Sequence, residues 1–424
     1  MTYTGELECL RCGALAADPA VEIIGSGCPS CAGEGAPANM LPRYDLQGRS
    51  QLPLDPTQPG LFRYREMLPL RTGTTPVSLH EGGTPLVPVP PLAEQLGVEH
   101  LLIKDETRNP TWSYKDRLAA VATTKAVEMG VDTVVVASTG NHGAAVAAYA
   151  AAAGIRCVVL TVESVPTTMK TLMQVYGAHV VALRSPPDRW KLMAQLVAER
   201  GWLPMSGHAN PPVGSNPYGV DGYKTIAYEV VEELGRAPDI VVVPVAYADG
   251  LAGIGRGFAD LHTLGIIDRV PRLVAAEPFG PLREALANGT DRTGHVDVHP
   301  SVAFSITSPV CTYQGMAALR ASGGTAVAVP DNDIILAAQA EIGRRTGLYL
   351  EASAAIALPA LEQMARSGDL PKDSTVVMVG TSTGLKDPDA TAQRLPPVTV
   401  IEASPTALDA ALRESFASAT DVLA

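Results

Sequence analysis

The sequence predicts an α/β protein that contains two parallel β-sheets. Eight short runs rich in β-branched residues recur along the chain, and helical patterns lie between most of them. Strands that alternate with helices of roughly 10–15 residues indicate parallel sheets, and so many strands suggest two sheets rather than one. The composition agrees, because 46% hydrophobic residues with only 5% aromatic residues suit closely packed layers of Ala, Val and Gly.

Length and charge narrow the class of protein. At 424 residues the chain is too long for one average domain and suggests two or three. Its net charge of −12 offers no electrostatic basis for binding nucleic acid or an anionic membrane. We find no charged-then-apolar leader and no uncharged apolar run of about 18 residues. We therefore expect a soluble, cytoplasmic enzyme that acts on a small molecule.

Two cysteine pairs near the N-terminus predict a metal site. Cys9 and Cys12 form one pair, Cys28 and Cys31 form the other, and fifteen residues separate the pairs. This spacing allows four thiolates to surround one Zn²⁺ in a tetrahedron, so we expect residues 1–45 to form a structural zinc ribbon. Four thiolates leave no open coordination position for catalysis. The alternative is a ribbon that has lost its metal or that forms adventitious disulfides.

The chain beyond the ribbon begins with an arm and then alternates strands with helices. Prolines and turns over residues 40–79 indicate an arm on a domain surface, and a Gly-Gly turn within residues 80–86 ends it. The predicted strands are residues 101–103, 133–137, 157–161, 179–183, 240–245, 272–276, 325–329 and 375–379. The clearest helical patterns are residues 115–129, 144–153, 218–234 and 333–345.

The order of these elements predicts two lobes. We expect a smaller α/β lobe, residues 120–222, to be inserted into a larger lobe that is formed by residues 46–119 and 223–424. Pockets favour such a boundary, and Lys115 and Asn141 would then face the cleft between the lobes.

The stretch NPTWSYKDR, residues 109–117, carries the main catalytic candidate. It joins a predicted strand to a predicted helix, at the edge where open α/β sheets bind ligands. A lysine that attacks an aldehyde must lose its proton, and the helix start and Arg117 would both disfavour a charged Lys115 amine. A single lysine near a helix start is usually an exposed surface charge, so the interpretation depends on the neighbouring loops.

Three further loops follow predicted strands. Residues 138–143 (STGNHG) precede an alanine-rich helix whose N-terminus suits an anion, although these polar side chains would also serve as helix caps. The small residues at 246–250 would let backbone N–H groups approach a phosphate, provided that the Asp249 side chain turns away. The Thr381 hydroxyl could hydrogen-bond to a pyridine nitrogen, or it could hydrogen-bond to the backbone of its own turn.

Taken together, these stretches resemble the threonine synthases, a group within the fold type II enzymes that depend on pyridoxal 5′-phosphate (PLP), the tryptophan synthase β-like superfamily. The similar segments, in the same order, are EGGTPL (81–86), KDETRNPTWSYKDR (104–117), STGNHGAAVAAYAA (138–151), NPYGVDGYKT (216–225) and TSTGLKDP (381–388). The resemblance implies two three-layer lobes with parallel sheets, PLP as the cofactor and an L-amino acid as the substrate.

The resemblance also implies roles for individual residues. Lys115 would carry PLP covalently and then move protons at the α-carbon of the substrate. Asn141 would contact the ring oxygen of the cofactor, and Thr381 would meet its ring nitrogen. The phosphate would lie against Ala246, Tyr247, Ala248, Asp249 and Gly250. The substrate would be bound by Ser113, Ser138, Thr139 and His142.

Departures from the family pattern leave the reaction open. Trp112 stands where threonine synthases usually have Gly, His142-Gly143-Ala144 replaces hydroxyl residues, and Gly219 replaces an arginine. The lost groups are of the kind that binds a phosphorylated substrate, because an anion favours several charge-assisted donors.

Three functions therefore remain after the sequence has been read. The first is threonine synthase, which converts O-phosphohomoserine to threonine by γ-elimination and β-hydration. The second is a serine/threonine dehydratase or a β-replacing enzyme. The third is a non-catalytic PLP-fold protein, against which the intact Lys115 argues. We expect a homodimer, because dimers are the commonest soluble assemblies.

Overall fold

The computed structural model describes residues 2–292 and 294–422. The strands in this part of the chain are β1 (Tyr3–Cys9), β2 (Leu15–Ala17), β3 (Met40–Tyr44), β4 (Leu86–Pro88), β5 (His100–Asp105), β6 (Thr133–Ala137), β7 (Arg156–Val162), β8 (His179–Leu183), β9 (Leu203–Pro204), β10 (Ile240–Pro244), β11 (Arg272–Glu277), β12 (Thr325–Ala328) and β13 (Thr375–Gly380).

The α-helices are α1 (Val21–Ser26), α2 (Pro29–Gly33), α3 (Pro90–Leu96), α4 (Lys115–Glu128), α5 (Asn141–Ala153), α6 (Thr167–Val175), α7 (Asp188–Arg200), α8 (Pro217–Val220), α9 (Lys224–Leu234), α10 (Asp249–Thr263), α11 (Pro281–Ala287), α12 (Tyr313–Ala321), α13 (Asn332–Thr346), α14 (Ala352–Ala355), α15 (Ala357–Ser367), α16 (Pro388–Ala392) and α17 (Pro405–Val422). Among the described residues, no helix is both long enough and apolar enough to cross a membrane. Residues 388–422 form a compact unit of their own, to which α16 and α17 belong.

The N-terminal segment is a small antiparallel sheet with the strand order β2-β1-β3. Leu7 on β1 and Ile24 on α1 are fully buried and supply its hydrophobic support. Cys9 ends β1, and Cys28 directly precedes α2. The two cysteine pairs therefore lie on neighbouring turns of one small unit.

A six-stranded sheet with the order β12-β11-β10-β13-β5-β4 forms the larger core. All neighbouring strands are parallel except β4, which runs antiparallel to β5 at one edge. Alternate residues of β10 belong to different hydrophobic clusters, because Val241 packs with Ile254 of α10 whereas Val242 packs with Leu358 of α15. Helices thus cover both faces, as the continuous hydrophobic strands of a parallel sheet require.

The second parallel sheet has four strands in the order β8-β7-β6-β9. It is also covered on both faces, since Val134 and Val136 of β6 pack in the cluster of α5 while Val135 packs with Met193 and Val197 of α7. The predicted α/β fold with two parallel sheets is confirmed, and all eight predicted strands are present. The sequence did not indicate β4 or β9, and the predicted lobe boundaries stay a prediction.

The helix predicted over residues 218–234 is interrupted. The structure has α8, then a 3₁₀ turn at Asp221–Tyr223, and then α9. Gly222 lies in the turn, and a Cβ atom there would approach the carbonyl oxygen of Arg117 to 2.2 Å. This close approach packs the interrupted segment against the first turn of α4.

Candidate active site

A cleft of about 810 Å³ opens at the carboxyl ends of strands from both parallel sheets. Its size lies in the usual range for a cofactor or small-molecule pocket. The cleft brings together most of the predicted site residues, namely Lys115, Ser138, Thr139, Asn141, His142, Ala246, Tyr247, Ala248, Asp249, Gly250 and Thr381. Ser113 is the exception, because it is fully buried and bridges to Ser382 instead of lining the cleft.

Lys115 occupies the first position of α4. Its Nζ atom lies 4.7 Å from the ring centre of Tyr114 and 5.6 Å from that of Tyr223. The backbone N–H of Tyr114 donates to the carbonyl oxygen of Thr381 at 2.9 Å, which ties the start of the helix to the loop after β13. Within the described residues the amine has no hydrogen-bond or ion-pair partner. It is therefore positioned by aromatic rings and left free to react.

The expectation that Arg117 acts on the Lys115 amine must be corrected. Arg117 is fully buried, and its guanidinium donates to Glu106 at 2.7 and 2.8 Å and to Glu229 at 2.8 and 2.7 Å. Two carboxylates thus balance its charge. Residues two apart on a helix do not face each other, so adjacency in the sequence was a poor guide here. Arg117 fixes the first turn of α4 and lies outside the cleft lining.

The loop of residues 138–143 supports the start of α5 and also borders the cleft. The Ser138 hydroxyl oxygen accepts the backbone N–H groups of Gly140 at 3.2 Å and Gly143 at 2.9 Å, so the capping alternative holds for this residue. The Nε2 atom of His142 is buried without a partner in the described part of the chain. Burial, aided by the positive charge of Lys115, lowers the pKa of His142 to about 3. The imidazole is therefore neutral near pH 7.

The loop after β10 leads into α10 through a tight turn. Ala248 adopts a left-handed conformation with φ of 59°, and a Cβ atom on Gly250 would approach the Tyr114 ring to 2.6 Å. The Asp249 carboxylate accepts the Ser215 N–H at 2.8 Å, the Ser215 hydroxyl at 2.7 Å and the Gln314 amide at 2.6 Å. This carboxylate is satisfied by those groups. The first N–H groups of α10, which have no partner among the described residues, are therefore free to bind an anion.

A buried polar cluster lies beside Thr381. The Asn141 amide donates to both Glu351 carboxylate oxygens at 3.1 and 3.0 Å, and its Oδ1 accepts from Lys386 Nζ at 2.7 Å and from the Ser382 hydroxyl at 3.2 Å. Burial lowers the pKa of Lys386 to about 8 and raises the pKa of Glu351. The cluster locks the Asn141 amide in one orientation. The Thr381 hydroxyl itself has no partner among the described residues.

Sequence reasoning missed part of this cluster. Neither Glu351 nor Lys386 was among the predicted site residues, although Lys386 belongs to the segment TSTGLKDP. Its position five residues after Thr381 was the available signal.

The four N-terminal cysteines form a cluster whose Sγ atoms all lie within 4.8 Å of one another. The Cys9–Cys31 and Cys12–Cys28 sulfur distances are 3.6 and 3.7 Å, far longer than a disulfide of about 2.05 Å. Tetrahedral Zn–S bonds of about 2.3 Å place sulfur atoms about 3.8 Å apart. The donor set and its spacing fit one Zn²⁺.

The chain matches a protein family over the region that contains the cleft. Residues 77–382 match the family model described as pyridoxal-phosphate dependent enzyme. The threonine synthase of Methanocaldococcus jannaschii is 35% identical over 343 residues, which cover 78% of this chain and 82% of that protein. The threonine synthase of Mycobacterium tuberculosis is 34% identical over 355 residues, covering 82% and 95%.

Solved structures show the same fold at lower sequence identity. Maize serine racemase has a TM-score of 0.61 at 21% identity, covering 71% of this chain and 88% of that one. Diaminopropionate ammonia lyase from Escherichia coli has a TM-score of 0.63 at 19% identity, covering 75% and 90%. At these identities the likeness concerns the fold alone.

Proposed function

Because the chain belongs to the pyridoxal-phosphate-dependent enzymes of the threonine synthase family, we propose that its cleft converts O-phosphohomoserine to threonine. The observation that carries this proposal is the Lys115 amine, which has no partner in the described part of the chain and lies in one cleft with the loops after β6, β10 and β13. Each loop presents a different kind of group, and together they match what a phosphorylated pyridine aldehyde requires.

The residues present fit PLP. The Lys115 amine would hold the aldehyde carbon, the start of α10 would receive the phosphate, and the Asn141 amide and the Thr381 hydroxyl would meet the ring oxygen and the ring nitrogen. When bound, PLP supplies an electron sink for the bond that breaks at the α-carbon of the substrate. A hydroxyl at the ring nitrogen does not keep that nitrogen protonated, which favours elimination and replacement over transamination.

The chain's own groups would divide the remaining tasks. Lys115, once released from the cofactor, would carry protons at the α-carbon, because its amine is already aimed into the cleft. The neutral His142 would donate one hydrogen bond to the substrate carboxylate, together with Thr139 and the N–H groups of α5. Water would supply the oxygen of the β-hydroxyl in threonine, and inorganic phosphate would leave from the γ-carbon.

A second function, β-elimination from serine or threonine, is favoured by one observation. Gly219 stands where the family resemblance places an arginine, and a Cβ atom there would approach Leu118 Cγ to 2.8 Å and the Leu118 carbonyl oxygen to 2.9 Å. No larger side chain fits at this position without a shift of α4. The chain thus lacks, at this position, the arginine that would help to bind a phosphorylated substrate.

We also propose that Cys9, Cys12, Cys28 and Cys31 bind a structural Zn²⁺, in support of which their sulfur atoms are suitably spaced. A homodimer in the cytoplasm remains our proposal for the assembly and location of the enzyme, since dimers are the commonest soluble assemblies.

A substrate screen of the holoenzyme tests the reaction. We expect phosphate and threonine from O-phosphohomoserine, with no product from the Lys115→Ala variant. Formation of 2-oxo acid from serine or threonine, without phosphate release from O-phosphohomoserine, would select the dehydratase instead. A wild-type protein that does not take up PLP would leave only the non-catalytic alternative.

A further inference from the structure

The first turn of α7 adds a buried positive charge to the cleft. Arg189 is the second residue of this helix, and its side chain lines the cleft with Pro186, Pro187 and Trp190. Only 8% of Arg189 is exposed. Arg189 lies on α7, which packs against the four-stranded sheet, whereas Lys115 begins α4.

In the part of the chain that the structure describes, Arg189 lacks the partners that a buried arginine normally has. Its Nε donates to the Pro186 carbonyl oxygen at 3.0 Å, and its guanidinium carbon lies 5.1 Å from the centre of the Trp190 ring. Within residues 2–292 and 294–422, no carboxylate forms an ion pair with it and its two terminal nitrogens make no hydrogen bond. The fully buried Arg117, by contrast, has two carboxylate partners.

The carboxylates near Arg189 are engaged elsewhere. Asp188, the preceding residue, points its half-exposed side chain to Lys191 at 3.4 Å. The two carboxylates that line the cleft, Asp249 and Glu351, are held by Ser215 and Gln314 and by Asn141 and Ser305. Burial accordingly lowers the pKa of Arg189, with only Tyr247 opposing this effect. A buried cation without a counter-charge is unfavourable, which indicates that its partner is a ligand.

We infer that Arg189 is a specificity-determining residue that binds a second anionic group at the far end of the substrate side chain. This inference rests on the proposed function, which supplies an amino-acid substrate to the cleft. A planar guanidinium binds a phosphate or a carboxylate through two parallel hydrogen bonds. Because the Arg189 guanidinium contacts the Trp190 ring through its face, its two terminal nitrogens stay free to make such bonds. Arg189 would thereby replace, from α7, the arginine for which Gly219 has no room.

The test compares substrate binding to holoenzyme variants by isothermal titration calorimetry. The probes are O-phospho-L-homoserine, L-2-aminoadipate, which ends in a carboxylate, and L-homoserine, which has no second anion. Arg189→Met removes the charge and Arg189→Lys keeps it without the fork. Arg200→Met is the matched control, because Arg200 ends the same helix, stacks on Trp202 at 5.0 Å and is exposed.

We expect Arg189→Met to weaken binding of the anionic probe about 10- to 100-fold, as loss of a charged hydrogen-bonded pair predicts. Binding of L-homoserine should change less than about twofold, and Arg189→Lys should fall between wild type and Arg189→Met. The KM for the accepted anionic substrate should rise more than kcat falls. Arg200→Met should match wild type.

Thermal unfolding without substrate gives a readout that does not depend on activity. Removing an unpaired buried charge should leave the Tm of Arg189→Met equal to or above that of wild type, and a marked decrease would indicate a structural role and overturn the inference. If Arg189→Met does not fold, the comparison of Arg189→Lys with wild type decides.

The outcomes separate the inference from the proposed function. If O-phosphohomoserine binds wild type and Arg189→Met equally, the inference fails while the proposed function stands. If only L-2-aminoadipate binds, and binds through Arg189, the anion is a carboxylate; the inference holds and the proposed reaction fails. If neither anionic probe binds better than L-homoserine, the inference is overturned.

Discussion

Glu229→Gln probes the buried charges that hold the start of α4. Glu229 is only 1% exposed and accepts hydrogen bonds from Arg117 at 2.8 and 2.7 Å and from the Gly83 N–H at 2.8 Å, with Lys104 Nζ at 3.0 Å. Arg117 is two residues beyond Lys115. The amide removes the negative charge at nearly constant volume, so Arg117 and Lys104 then share fewer carboxylates.

The pKa of Glu229 gives an estimate of how much Glu229→Gln should lower the free energy of unfolding. Burial raises this pKa, but Arg117 and Lys104 outweigh burial and lower it from 4.5 to about 2. At about 1.4 kcal/mol per pKa unit, the charge contributes about 3 kcal/mol to the free energy of unfolding. Removing one partner from a buried ion pair typically costs about 3–5 kcal/mol, which agrees.

The pH dependence has a defined sign. Because the folded-state pKa is depressed, the stabilisation is complete above pH 4.5 and is lost as the pH falls towards about 2. Urea unfolding of the apoprotein, followed by circular dichroism, should show a gap of about 3 kcal/mol between wild type and Glu229→Gln at pH 7. The gap should narrow below pH 4.5.

Glu232→Gln is the matched control on the same helix. Glu232 pairs with Arg63, but 44% of its side chain is exposed, so its removal should cost less than about 1 kcal/mol. The reasoning is refuted if Glu229→Gln costs no more than Glu232→Gln, or if its cost is the same at pH 7 and pH 3.

Three further predictions concern the other clusters. Lys386→Met and Glu351→Gln should each reduce kcat about 10- to 100-fold, because each frees the Asn141 amide to rotate. In a double-mutant cycle, the double variant should reduce kcat by less than the product of the two single reductions. Metal analysis should find one zinc per wild-type chain and much less in a Cys28→Ser/Cys31→Ser variant, which should also unfold at a lower temperature. Unfolding at graded pH should show that wild type loses stability between about pH 6.5 and pH 3, where the unfolded chain protonates His142 and the folded chain does not; a His142→Gln variant should lack this component.

The strands, and the fact that the loops after them line one cleft, could be predicted because the sequence patterns that indicate them are local. Runs such as residues 133–137 and 375–379 are rich in hydrophobic, β-branched residues, a pattern that is typical of a buried strand in a parallel sheet. Once the strands were predicted to be parallel, the loops that follow them had to lie at the same edges. This reasoning placed Lys115, Asn141 and Thr381 in one cleft without any contact information.

The remaining features depend on contacts that the sequence does not display. Glu351 meets Asn141 across 210 positions of the chain, and nothing local indicated that partnership. Arg117 was assigned the wrong neighbour because the helical turn carries it away from Lys115 towards two buried glutamates. Arg189 lies in the segment SPPDRW, where a charged first turn normally indicates an exposed helix.

The most direct test of the account is to find which lysine carries the cofactor. Borohydride reduction of the PLP-loaded protein, followed by proteolysis and mass spectrometry, should place the phosphopyridoxyl group on Lys115 and on no other residue. The Lys115→Ala variant should remain unlabelled. A label on Lys386, whose pKa is lowered by burial to about 8, or no label in wild type, would contradict the account.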